Sequence, residues 1–107
     1  MRLAAAAFSS VLVLAGGSTA GAAASPPTRS CGFQSFGKGW YLRASRSVTC
    51  RRARTIFHAY FSTRGCNRPA AGTCVVRAYR CRYDYRDDVE RVRCTAPGRL
   101  ISFRSVA

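Results

Sequence analysis

The chain has 107 residues, with 18 Lys or Arg against four Asp or Glu, a formal net charge of +14, and six cysteines. This length excludes a multidomain enzyme and allows one small domain, and a hydrophobic content of 48% disfavours disorder. The basic excess favours an anionic partner. Every basic residue except Lys38 is an arginine, a bias expected of a GC-rich genome, so composition explains part of the arginine content.

The first two dozen residues have the pattern of a secretory signal peptide. Arg2 supplies a positive charge, an apolar run follows it, and small residues continue to Ala24. This order is typical of signal peptides, and the run is shorter than the roughly 20 residues that cross a bilayer. We expect residues 1–24 to be removed by cleavage after Ala24, or after Ala22, and an uncleaved anchor is less favoured. The expected location is extracellular, and association with the cell wall is one form of it.

The remaining chain is expected to hold one domain with no transmembrane segment. Residues 25–30 include two prolines and are interpreted as a flexible N-terminal segment, and residues 31–107 as a small disulfide-bonded domain. Cys31–Gly39 contains three glycines and is expected to be irregular. Trp40–Ala44 is interpreted as a short first strand.

One helix is predicted after Thr49, which can cap it, with Ser47 as the alternative cap. Gly65 is expected to end the helix, and Pro69 prevents its resumption. Apolar residues recur at helical spacing and form one stripe: Ala53, Ile56, Phe57, Tyr60 and Phe61.

The second half of the chain is predicted to form a three-stranded meander. The strands are Tyr79–Arg86, Val89–Thr95 and Leu100–Val106, joined by turns at Asp87–Asp88 and Pro97–Gly98.

These two turns imply compatible registers. If both turns have two residues, Cys81 lies opposite Cys94 and Val92 lies opposite Phe103, so one face is apolar in all three strands. The predicted fold class is therefore α+β, with one helix packed on a three- or four-stranded antiparallel sheet.

Six cysteines in an exported domain of this size predict three disulfides. The preferred pairings are Cys66–Cys74, Cys81–Cys94 and Cys31–Cys50. The first pair encloses a short loop, and the second lies at directly opposite strand positions. The third pair consists of the two cysteines that are then left. The alternative joins Cys50 to Cys81 or Cys94 across the core.

The sequence offers little for catalysis or metal binding. His58 is the only histidine, no Cys-x-x-Cys pair occurs, and the four acidic residues cluster in one predicted hairpin. We therefore predict no catalytic site, no metal and no cofactor, with a small hydrolase or nuclease as the less favoured alternative.

The candidate binding surface is the outer face of the predicted sheet. A polyanion would relieve like-charge pairs there and release counterions on binding. The arginines that project from this face are Arg80, Arg82, Arg86, Arg91, Arg93 and Arg104. The expected ligand is an anionic polymer of the cell envelope.

Other partners are less favoured. Nucleic acid is disfavoured because the strand aromatics point inward in the predicted register. Two alternatives stay open. One is an inhibitor that contacts another protein through the Cys66–Cys74 loop, and the other is an antimicrobial domain with an apolar patch in Phe33–Tyr41. The chain is expected to be a monomer.

Several segments resemble a known group of proteins. Val48–Arg54 opens the helix, Tyr79–Cys81 and Val92–Cys94 lie on strands, and Gly98–Phe103 approaches the C-terminus. The region Trp40–Arg104 resembles small, mostly uncharacterised secreted proteins of high-GC Gram-positive bacteria. In this comparison Cys66 and Cys74 are additions to the usual cysteine pattern. The resemblance implies no activity, cofactor or catalytic residue.

Overall fold

A computed structural model describes residues 25–66 and 72–106, in which one helix packs on a six-stranded antiparallel sheet. The order of strands in the sheet is β1-β2-β6-β5-β4-β3. The α+β class is confirmed, and the sheet has more strands than predicted. The predicted signal peptide, residues 1–24, lies outside the described residues. The elements are β1 (Thr28–Phe36), β2 (Lys38–Ser45), α1 (Cys50–Ser62), β3 (Thr73–Val76), β4 (Tyr79–Arg86), β5 (Val89–Ala96) and β6 (Arg99–Ser105).

The predicted meander forms β4, β5 and β6 in the predicted register. Cys81 pairs with Cys94, and Val92 pairs with both Tyr83 and Phe103. Asp87 and Asp88 both have positive φ at the β4–β5 turn, as a tight two-residue hairpin requires. The two turns therefore place one apolar face on all three strands.

The helix begins after Thr49, as predicted. The hydroxyl oxygen of Thr49 accepts a hydrogen bond of 3.0 Å from the backbone N–H of Arg52, which satisfies one of the free donors at the helix start. The predicted stripe faces the sheet, with Phe61 partly buried and its other members more deeply covered. The predicted stop at Pro69 lies outside the described residues. The core between helix and sheet includes Trp40, Leu42, Ala53, Ile56, Phe57, Tyr60, Ile101 and Phe103.

Strand β1 corrects two predictions. Residues 28–30 of the predicted flexible segment, and most of the predicted irregular stretch Cys31–Gly39, belong to this edge strand. A register shift between Ser30 and Gly32 marks a bulge, and Gly32 has a φ of +95°. The bulge breaks the alternation that identifies a strand in sequence, and glycine accommodates the backbone there.

Arg29 shows why the chain is ordered before Cys31. Its guanidinium donates hydrogen bonds to the carbonyl oxygens of Ala44, Ser45 and Val48, at 3.1, 2.7 and 2.9 Å. These bonds hold the start of β1 against the end of β2 and the loop that leads to α1. Arg29 is therefore a structural residue.

Strand β3 also adds to the predicted sheet. It pairs with β4 through a turn at Arg77 and Ala78, both of which have positive φ. Non-glycine residues adopt this conformation rarely, so the sequence Arg77–Ala78 does not predict a turn.

The three disulfides have the preferred pairings, and the alternative Cys50 pairings do not occur. Cys50, the first residue of α1, is bonded to Cys31 on edge strand β1. Cys66, just beyond α1, is bonded to Cys74 on the opposite edge strand β3. A 13-residue helix is about 20 Å long and six strands span about 24 Å. The helix thus crosses the sheet, and its first residue and the segment just beyond its end are each covalently attached to one edge.

Candidate anion-binding site

The face of the sheet opposite the helix carries an open concavity of about 460 Å³. Side chains from β2, β4, β5 and β6 line it, because alternate residues of each strand point away from the helix. Five of the six predicted arginines come together here: Arg82, Arg86, Arg91, Arg93 and Arg104. We call this surface the basic face.

Two pairs of like charges lie directly opposite each other on the basic face. Arg82 pairs with Arg93 between β4 and β5, and Arg91 pairs with Arg104 between β5 and β6. Opposed like charges on neighbouring strands destabilise a sheet, by roughly 0.2–1 kcal/mol in exposed pairs. The face therefore has an electrostatic cost that a bound anion would remove.

Arg80 is the predicted residue that lies apart from the others. It lines a separate shallow surface with Val75, Thr95 and Pro97, near the β5–β6 turn. Its strand position is correct, since it points to the same side of β4 as Arg82. The concavity, however, lies toward β2 and the other ends of β4 and β5.

Asp84 is the acidic residue in the lining of the concavity. It lies opposite Arg91, as the predicted register requires. Its carboxylate nevertheless binds the guanidinium of Arg86, at 3.0 Å, and not that of Arg91. The register alone would favour an Asp84–Arg91 ion pair, but Arg86, two positions along the same strand, reaches the carboxylate instead.

Sequence reasoning missed the contribution of β2 and β1 to this surface. Arg43, from β2, and Ser30, from β1, line the concavity, and Ser102 of β6 lies between Arg43 and Arg93. The Arg43 guanidinium donates hydrogen bonds to the Thr28 hydroxyl and carbonyl oxygens, at 2.8 and 2.7 Å. The alternation within Trp40–Ala44 indicates that Arg43 points away from the core. The sequence does not show, however, that this strand pairs with β6.

Aromatic side chains also lie on the basic face, which corrects the argument made against nucleic acid. Tyr41 is 45% exposed, and the Arg104 guanidinium lies over its ring, 5.1 Å from the centroid. The ring of Phe33 meets that of Tyr41 edge-on, with 5.3 Å between centroids. Phe33 also covers Gly39, where a Cβ atom would collide with its ring. Tyr79, Tyr83 and Phe103 do point to the helix side, but Phe33 and Tyr41 do not.

The N-terminal end of the described chain reaches the same face. The Arg93 guanidinium donates a hydrogen bond of 2.8 Å to the hydroxyl oxygen of Ser25. Ser25 would become the first residue after the predicted cleavage.

The apolar patch expected in Phe33–Tyr41 for an antimicrobial domain is divided between two surfaces. Phe33 and Tyr41 are exposed on the basic face, whereas Phe36 stacks on Phe61 of the helix, with 4.6 Å between centroids. The predicted protein-binding loop between Cys66 and Cys74 includes residues 67–71, which lie outside the described residues.

His58 lies on the exposed side of the helix, with its ring edge-on to Phe36 and Phe57. A hydrolase or nuclease would need His58 and a carboxylate beside the same substrate atom. Asp84 lies on the side of the sheet opposite the helix, so His58 and Asp84 are not placed for this. Within residues 25–66 and 72–106, no three His, Cys, Asp or Glu side chains are grouped as a metal ion would require.

A polar cluster closes the end of the core. Burial raises the pKa of Tyr60 to about 12, with smaller contributions from Tyr83 and Glu90. Burial, and then the charge and hydrogen bond of Glu90, raise the pKa of Tyr83. Lys38, the one lysine, forms an ion pair with Glu90, the one glutamate. Both phenols therefore stay protonated at neutral pH, and the cluster links β2, β4, β5 and the helix.

The comparisons with known proteins supply no relative: no family model, curated protein or solved structure matches this chain. Among the described residues, no helix is long and apolar enough to cross a membrane. The basic face itself is therefore the feature from which a function can be inferred.

Proposed function

We propose that this protein is a secreted, non-enzymatic domain whose basic face binds an anionic polymer of the cell envelope. The observation that carries the proposal is the convergence of six arginines from four strands on one concavity, with Asp84 as the acidic side chain in its lining. The arginines lie at separate sequence positions, and only the pairing of the strands brings them together.

The chemistry of arginine favours phosphate as the charged group of the ligand. A guanidinium presents a planar set of N–H donors that match two phosphate oxygens at once. Residues on the same face of a strand are about 6.6 Å apart, and neighbouring strands are about 4.8 Å apart. Such a grid can hold successive charges of a chain molecule, and a polymer gains from every additional contact.

Electrostatic relief supplies a second reason. The pairs Arg82–Arg93 and Arg91–Arg104 repel each other in the free protein, and a polyanion placed between them replaces repulsion with attraction. Binding also releases the counterions condensed on the polymer. Affinity should therefore fall steeply as salt increases.

Secretion is part of the proposal. It is supported by the signal-peptide pattern of residues 1–24 and by three disulfides, which form and persist in oxidising compartments.

The test is binding of the oxidised mature domain to poly(glycerol phosphate), anionic vesicles and duplex DNA over a range of salt concentrations. We expect binding to poly(glycerol phosphate) that weakens steeply with salt. The double substitution Arg82→Glu with Arg93→Glu should weaken it by roughly tenfold or more, because it reverses two charges at the centre of the face.

The matched control is Arg51→Glu with Arg54→Glu, which makes the same change in net charge on the exposed side of the helix. It should retain nearly all of the affinity. Equal losses in the two double variants would show that binding follows net charge alone, and the basic face would then have no special role. Stronger binding of vesicles or DNA than of poly(glycerol phosphate) would contradict the choice of an envelope polymer.

A further inference from the structure

The basic face has two chemically different parts. Its centre is a set of arginines, and Tyr41 lines its β2 end. The exposed ring of Phe33 lies opposite Tyr41 on β1, on the same side of the sheet and just outside the concavity. We propose that this aromatic end is a sugar subsite, so that the ligand is a polymer carrying sugar rings beside its phosphates. This inference rests on the proposed function and names the chemistry of its ligand.

The position of Tyr41 supports a ring beside a phosphate. Tyr41 lies directly opposite Arg104 between β2 and β6, and Arg104 lies opposite Arg91 on β5. The row thus passes from an aromatic ring to two guanidinium groups. Arg104 keeps its N–H donors while its guanidinium lies over the Tyr41 ring. A phosphate held by Arg104 therefore places the adjoining unit of the polymer against Tyr41.

Neutral hydroxyl groups complete the surface. Ser30 and Ser102 both line the concavity, and Ser102 lies between Arg43 and Arg93 in the neighbouring row. A serine hydroxyl can donate to and accept from the hydroxyl groups of a sugar. Phosphate oxygens can only accept from a serine hydroxyl, whereas sugar hydroxyls use both of its capacities. This combination of arginine, serine and aromatic side chains therefore suits a sugar-bearing polyanion.

The arrangement of the rings favours sugars over nucleobases. The planes of Phe33 and Tyr41 are inclined by 71°, so the two rings form no common flat surface. Arg104 already lies over Tyr41. A run of stacked bases needs open ring faces that lie parallel, whereas one sugar ring needs the apolar face of a single exposed ring.

A matched pair of polymers separates the sugar subsite from general phosphate binding. One is poly(glycerol phosphate) with glucose side groups, and the other is the same polymer without them, so the charge per repeat is equal. We expect the oxidised domain to bind the glucosylated polymer roughly fivefold more tightly, as one aromatic contact allows. A single-stranded oligothymidylate and its abasic counterpart form the third arm.

The key variant is Tyr41→Thr, which keeps a strand-forming residue in β2. It should abolish the preference for glucose and change the affinity for the bare polymer by less than about twofold, since the arginines remain. Tyr41→Phe, which keeps the ring, should retain the preference. Tyr85→Thr is the matched control, because Tyr85 is 58% exposed and lies outside the concavity. Circular dichroism and the fluorescence of Trp40 verify the fold of each variant.

Three results would overturn the sugar subsite. One is equal affinity of the unmodified domain for the two polymers. Another is a Tyr41→Thr variant that loses affinity for both polymers alike. The third is a Tyr41-dependent preference for oligothymidylate over its abasic counterpart, which would make the ring a base platform. If neither polymer binds in a salt-dependent manner, the proposed function fails and the subsite fails with it.

Discussion

The two faces of the sheet are built from the same strands and differ in almost every physical respect. The helix side holds a cluster of aromatic rings in which Phe103 meets Trp40, Phe57, Tyr60 and Phe61 at centroid distances of 5.0–6.0 Å. The opposite side holds arginines that repel one another. Alternation along each strand produces both faces at once, since neighbouring residues point in opposite directions.

The difference shows how a small domain can carry an unfavourable surface. Buried apolar area and three disulfides stabilise the helix side. Each exposed like-charge pair costs far less than a buried ring contributes. The helix side thus supports the basic face. Loss of an aromatic ring should cost more stability on the helix side than on the basic face, and loss of an opposed arginine should increase stability.

The largest expected effect comes from replacing a phenylalanine with alanine on each side of the sheet and comparing the losses of stability. Phe103→Ala should lower the free energy of unfolding by about 3–5 kcal/mol, because Phe103 is 1% exposed and its loss leaves a cavity among four rings. Phe33→Ala, on the basic face, should cost about 1 kcal/mol or less, although it uncovers Gly39. Urea unfolding followed by Trp40 fluorescence measures both, and equal costs would contradict the contrast.

The second effect is a pH dependence confined to the helix side. Tyr60 is 2% exposed, and its pKa rises from 10.0 to about 12 in the folded protein. Above pH 10 the unfolded chain loses this proton first and so binds fewer protons than the folded chain, which means that stability falls as pH rises. The loss should reach about 2–3 kcal/mol near pH 12.

The measurement is the urea midpoint of the oxidised domain as the pH is raised from about 9 to about 12. Tyr60→Phe should reduce the fall in stability, because no phenol then titrates at that position. An identical pH profile in the two proteins would show that Tyr60 does not carry the effect.

The smallest effect should be a gain in stability. Arg82→Thr removes one member of the pair Arg82–Arg93 and places a strand-forming residue opposite Thr73. We expect the free energy of unfolding to rise by about 0.5 kcal/mol at low salt, and the gain to shrink at high salt, because screening weakens the repulsion it removes. The same variant should bind poly(glycerol phosphate) less tightly. A loss of stability at low salt would show that Arg82 contributes more through packing than it costs through charge.

Local pattern was sufficient where neighbours in sequence are neighbours in space. The capped helix, the two hairpin registers of the meander and the Cys66–Cys74 and Cys81–Cys94 pairings all follow from short-range spacing, whereas Cys31–Cys50 was predicted only as the remaining pair. Consequently the arginines of β4 and β5 could be assigned to one face before their surroundings were known. The hairpin of β3 and β4 could not be predicted, because Arg77 and Ala78 adopt positive φ without any of the residues that favour it.

What the sequence by itself determined is the alternation of arginine and apolar residues along the meander, and with it the existence of a basic face. The tertiary structure alone decided that β2 pairs with β6 and that β1 extends the sheet beyond it. That pairing joins strands separated by the helix and three other strands, and no local pattern specifies such a contact. It places Tyr41 beside Arg104 and Arg43 beside Ser102, and so turns a stripe of arginines into a surface with charged, hydroxyl and aromatic parts.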